Sequence, residues 1–79
     1  MVIADNLISG QQIDGLVIIG ASPIVRRNRS LDNKGAGIRV LDFVTAREAR
    51  IAARPFLEEN VMAGNAIDEP FRGDYVERL

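Results

Sequence analysis

The sequence predicts an α+β fold: a small, mainly antiparallel sheet of three or four strands built on a long β-hairpin, with one kinked helix packed on one face. Three observations lead there. Residues 23–44, PIVRRNRSLDNKGAGIRVLDFV, hold two arms rich in Ile, Val, Leu and Phe around Asp32-Asn33-Lys34-Gly35; such arms fit a pleated surface, and such a connection fits a type I turn with a bulge. Leu16-Val17-Ile18-Ile19 is an unbroken apolar run, as expected of a central strand covered on both faces. Thr45-Ala46-Arg47-Glu48 matches a capping box, in which Thr accepts a first-turn amide and Glu returns to the cap.

Each element follows in order. Residues 1–12 mix Val2 and Ile3 with Asp5, Asn6, Ser9 and Gly10 and keep no period, which predicts an arm or a short edge strand. Gly20 to Pro23 end the central strand, because Pro has no amide hydrogen to donate. Setting Leu31 opposite Ala36 in the hairpin brings Ile24 to Phe43 and Val25 to Asp42, so apolar pairing falls at the root and charge at the tip. In the helix from Thr45 or Ala46, the residues Ala46, Ala49, Ala52, Ala53, Phe56 and Leu57 fall on one stripe, with Arg47, Arg50 and Arg54 beside it. Pro55 kinks that helix or starts a second one ending at Gly64, the alternative being a returning strand over residues 61–67. Residues 65–79 read as an irregular C-terminal segment with a short strand near Ala66 and Ile67 and a last helical turn through Tyr75 and Val76. No repeat and no linker is evident, so residues 1–79 are expected to form a single small domain.

Composition bounds the function. The chain has 79 residues, 47% hydrophobic and 27% charged, an ordinary globular profile. It contains no Cys and no His. That excludes thiolate and imidazole metal ligands, a cysteine nucleophile and a Ser-His-Asp triad. No catalytic, cofactor-binding or metal-binding residue is assigned, and no enzyme activity is expected. Glycines at 20, 35 and 37 sit in turns without a phosphate-cradling pattern. No apolar run is long enough to span a bilayer, and no secretory pattern opens the chain. The expected location is the cytoplasm, or a particle assembled there.

Charge is the strongest pattern. Residues 24–39 carry Arg26, Arg27, Arg29, Lys34 and Arg39 against Asp32, a net +4 (5 − 1), whereas residues 55–79 carry six carboxylates, Glu69 among them, against Arg72 and Arg78, a net −4 (2 − 6). Opposed ends of this kind suit a head-to-tail contact between copies. The expected function is therefore a non-enzymatic structural or interaction subunit, self-associating or docking on a larger assembly, such as a virus-particle coat, cement or connector component. The partner-contacting residues would be Arg26, Arg27, Arg29, Lys34, Arg39 and Glu69. A nucleic-acid-binding module using the basic hairpin is the alternative, disfavoured by a net charge of −1 and by the lack of any aromatic residue between Pro23 and Val40 to stack on a base. A small ferredoxin-like ligand-binding dimer is a third reading. Two short likenesses bear on these: VMAGNAI after an IRVLDF strand is similar to the end of lambda-type phage head-decoration proteins, and ARPFLEENVMAG resembles the ending of YciI-like ferredoxin-fold proteins. Neither lends the chain a functional residue.

Overall fold

The computed structural model describes residues 1–77. Its strands are β1 (Val2–Ala4), β2 (Leu7–Ser9), β3 (Leu16–Ile19), β4 (Ile24–Arg26), β5 (Arg29–Leu31), β6 (Ile38–Val44), β7 (Arg50–Ile51), β8 (Phe56–Glu58), β9 (Val61–Ala63) and β10 (Phe71–Val76). They form three sheets, β1-β4-β8, β2-β5-β9 and β3-β6-β10, in which every one of these neighbouring pairs is parallel. Apart from β6 and β7, consecutive strands thus belong to different sheets, and each strand of these three sheets pairs with the corresponding strand of the next turn of chain. The fold is a parallel β-solenoid of three coils, residues 1–22, 23–54 and 55–77.

The spacing between coils comes from the register. Val2 pairs with Ile24, Leu7 with Arg29 and Leu16 with Ile38, a step of 22 residues. From the second coil to the third the step is 32, and the extra ten (32 − 22) are residues 45–54. This insertion folds back as β7, the one antiparallel partner of β6, placing Ile51 beside Phe43. It extends the third sheet past the end of the shorter β3.

The predicted α+β architecture is therefore corrected to an all-strand one, with no helix among the described residues. In the expected hairpin, β4, β5 and β6 lie in three different sheets. Asp32 takes φ 56° and turns the chain through a corner instead of reversing it. The expected helix is the insertion. Glu48 stands at φ 64°, a left-handed conformation that ends any right-handed turn. Thr45 Oγ1 does accept a downstream amide, but that of Ala49 at 3.1 Å, while the Thr45 N–H donates to Ala49 O at 2.8 Å and closes a loop. Of the proposed apolar stripe only Ala53 is fully buried. Val61–Ala63 is a strand, as the alternative reading had it, and Tyr75 and Val76 lie in β10 rather than in a helical turn. Leu16–Ile19 is a strand too, but it edges its sheet, with Val17 44% and Ile19 40% exposed.

The core is a stack inside the coils. Ile3, Val25 and Leu57 share one register column, Ile18 and Val40 another, and Leu16 and Ile38 a third. Coverage is most complete in the middle coil: Val25, Ile38 and Val40 are at 0–1% exposure and Ile18 of the first coil is at 4%, while Ile3, Leu16, Leu57 and Met62 are half-buried against them. The molecule measures 37 × 24 × 16 Å. With coils about 4.8 Å apart, a large part of its surface is the two ends of the stack.

Candidate interaction site

Asparagine builds the first corner of all three coils and the second corner of the middle and third, where the first coil has Gln11. At the first corner Asn6, Asn28 and Asn60 lie one above another. Asn6 donates its backbone N–H and Nδ2 to Asn28 Oδ1 at 3.1 and 3.0 Å, and Asn28 donates the same two groups to Asn60 Oδ1 at 3.0 and 3.1 Å. Nδ2 of Asn28 also donates to Ile3 O at 2.9 Å, and that of Asn60 to Val25 O at 2.9 Å. A coil corner must satisfy backbone groups that no strand partner reaches, and a side chain with both donor and acceptor does so one coil at a time. The residue before each asparagine, Asp5, Arg27 or Glu59, sits at φ 58°, 51° or 54°. Asparagine also lines the second corner: Gln11 N–H donates to Asn33 Oδ1, and Asn33 N–H to Asn65 Oδ1. Here the ladder is closed within the chain, since Asn65 donates its N–H and Nδ2 to Asp68 Oδ1, both at 2.9 Å.

The five basic residues named from the sequence do not form one patch. They ring the middle coil. Arg26 is half-buried on the first sheet with Nε unpartnered among the described residues, Arg29 is exposed on the second sheet, Lys34 is exposed at the second corner, and Arg27 stands at the first corner. Arg27 grips Asp5 with Nε and Nη2 at 2.8 and 3.1 Å. Arg39 grips Asp14 at 2.8 and 3.1 Å and lays its guanidinium 4.4 Å from the centre of the Phe71 ring. Glu69 is exposed in the loop before β10. The expected charge dipole is consequently replaced by a sandwich. Side chains give −2 for residues 1–22 (Asp5, Asp14), +5 for residues 23–54 (8 − 3) and −5 for residues 55–77 (1 − 6). A head-to-tail stack of copies would set one acidic coil on another.

Four carboxylates, those of Asp5, Asp14, Asp42 and Asp74, face guanidinium groups. The Asp14 carboxyl is held below the usual range, first by its bonds to Arg39 and then by the Ala36 N–H, with burial pushing the other way. Asp42 is lowered first by the Ala53 N–H and then by Arg50, and Arg50 also binds Asp74 at 2.6 Å. Asp5 is lowered by Arg27. Acid-base catalysis needs two groups pushed apart in pKa, whereas Asp5, Asp14 and Asp42 are all pushed down. A depressed carboxylate stabilises the fold above its unfolded pKa, near 3.9, and that contribution disappears as pH falls through the folded value. Urea midpoints are therefore expected to hold from pH 7 to about 4 and to drop below it. In Asp14→Asn the drop should be shallower, and an unchanged acid limb would remove Asp14 from the account.

No protein-family model, curated protein or solved structure matches the chain. Reading the sequence missed Asn60, Glu59, Leu57 and Met62 around the open corner of the third coil, and Asn28 below them in the middle coil. The available signal was PIVRRN at 23–28 against PFLEEN at 55–60: proline, two apolar residues, two like charges and asparagine.

Proposed function

We propose that this chain is a non-enzymatic structural subunit that joins a larger protein assembly through the ends of its solenoid. The observation that carries this reading is the contrast between coils. Val25 and Ile38 are at 0% and 1% exposure, yet Ile3 and Leu57, in the same column as Val25, and Leu16, in the same column as Ile38, are only half-covered. Stacked repeats bury their core against neighbours, and an end coil holds apolar inward residues only at a cost unless something covers it. The strand edges at both ends also offer unpaired backbone groups, a ready site for another strand.

Because both ends are acidic, contact between copies should grow as salt screens repulsion, the reverse of a charge-driven head-to-tail contact. Sedimentation from about 0.01 to 1 M salt tests this. Association should appear at the high end and be lost in Met62→Lys, which points a charge inward at the third coil. Hydrogen exchange should show the middle coil protected and the outer coils open. A monomer at every salt concentration, with outer coils exchanging as slowly as the middle one, overturns the reading.

A further inference from the structure

We infer that the open side of the third coil, Phe56 to Ala63, is a docking edge for a basic protein segment that runs parallel to it, with a cation and then an asparagine at the corner. This rests on the end-joining function proposed above and names the partner of one end. Three observations converge there.

The first is the asparagine ladder. In the first two coils the corner asparagine gives its N–H and one amide hydrogen to the oxygen of the asparagine in the following coil. Asn60 has the same conformation upstream and the same bond back to Val25 O, and among the described residues its N–H finds no acceptor. A carbonyl or carboxylate oxygen one coil further on is the group that fits. The second corner needs none, since Asp68 supplies that oxygen, so the demand is confined to the first corner.

The second observation is charge. The corner column reads Asp5, Arg27, Glu59, all in the left-handed region. Arg27 holds Asp5 in a two-point contact, and Glu59, whose charge also acts on Arg27, takes in the third coil the corner position that Asp5 takes in the first. No ion pair involves Glu59 among the described residues. Glu58 adds a second negative charge beside it. Complementarity therefore asks for a cation at the Arg27 position of the incoming segment.

The third is the apolar frame. Phe56 and Val61 are 60% and 51% exposed on the outer faces, and Leu57 and Met62 are half-buried on the inner one. An incoming strand in the register used between the coils below would set two residues before its corner over Phe56 and Leu57 and two residues after its corner asparagine over Val61 and Met62. The first coil of a second copy fails this test, because its Asp5 would meet Glu59. The middle coil's own stretch, Ile24 to Leu31, supplies Ile24 and Val25 before the corner, Arg27 and Asn28 at it, and Arg29 and Ser30 after it, and in the structure it sits in the corresponding place beneath the first coil.

The test uses the full chain and a fluorescein-labelled synthetic peptide with the sequence of residues 23–33, PIVRRNRSLDN. Binding should be saturable, weaken with salt, and move backbone amide signals of Phe56 to Ala63 rather than those of the first coil. Replacing the peptide asparagine at position 28 by alanine should weaken binding about tenfold, one strong hydrogen bond's worth. Reversing the arginine at position 27 to glutamate should weaken it at least as much, and Glu59→Arg in the chain should restore binding to that reversed peptide. Glu59→Arg will fold, since Arg27 already occupies the same backbone conformation. Glu59→Gln gives a milder second variant, expected to lose only the salt dependence. No binding, binding indifferent to position 27 and residue 59, or signals shifted elsewhere overturns the inference. The sedimentation and exchange results stand apart from this outcome, so an end-joining subunit with another partner is distinguishable from one with none.

Discussion

Asn28→Ala is expected to remove about 2 to 6 kcal/mol of stability, because it leaves the Asn6 N–H and Ile3 O, at a part-buried corner, without their side-chain partner at about 1 to 3 kcal/mol each. Asn28 is 2% exposed. Its Oδ1 serves the N–H and Nδ2 of Asn6, and its Nδ2 serves Ile3 O and Asn60 Oδ1. Asn60 Oδ1 keeps the Asn28 backbone N–H, but among the described residues no other side chain bonds the Asn6 N–H or Ile3 O. A domain of 79 residues has a net stability of about 4 to 12 kcal/mol, so the loss spans much of the total, and the variant should be largely unfolded at 37 °C by circular dichroism. Asn28→Asp separates the ladder from simple packing. It keeps the oxygen facing Asn6 but turns an acceptor toward Ile3 O and Asn60 Oδ1, and the charge is buried without a cation. Its pKa must rise, so this variant should be least stable at neutral pH and recover toward acid until the other carboxylates fail. An Asn28→Leu variant as stable as the parent would show that the side chain only fills space.

The contrast between what the sequence disclosed and what it hid has a physical origin. Short strands were legible where β-branched residues cluster, at Leu16–Ile19, Ile24–Arg26 and Ile38–Val44. Their parallel partners were not, since pairing was assigned to the nearest strand, while each parallel partner lies 22 or 32 residues away. The inserted residues 45–54 change the interval between coils, so a fixed period meets only one of the two steps. At the corners only backbone conformation is constrained, which lets Asp5, Arg27 and Glu59 fill one position with unlike side chains. Asparagine alone is repeated, at 6, 28 and 60, because its side chain carries the contact.

The false helix has a different cause. Thr45 and Glu48 hold capping-box spacing and alanines follow, so local propensity favours a helix. What defeats it is the closure of the loop: residues 45–54 must leave β6 and return to β8 within one coil spacing. The Arg50 guanidinium joins Asp42 and Asp74, and the Ala53 N–H binds Asp42 Oδ1 at 2.9 Å. Those contacts tie the insertion to the third sheet. Basic residues misled in a similar way. Adjacent in sequence, they are spread around the coil by its corners, and two of them are already paired with carboxylates of the preceding coil.

Ile38→Ala should be the other strongly destabilising change, at about 2 to 5 kcal/mol. Ile38 is 1% exposed in the middle coil, in register with Leu16 of the first coil and part of the buried cluster with Ile18, Val25, Val40 and Ala53. Removing its outer carbons leaves a void that the strands of both neighbouring coils cannot fill, because their backbones are fixed by pairing on either side. The same change of side chain at Ile13, 72% exposed, should cost within about 0.5 kcal/mol. Leu57→Ala, at the uncovered end, should fall between them, since half of its surroundings are already water. The order Ile38, Leu57, Ile13 in denaturation midpoints is what stacking against neighbours requires. If Leu57→Ala costs as much as Ile38→Ala in the isolated chain, the third coil is covered in solution and the uncovered end on which its docking role depends does not exist.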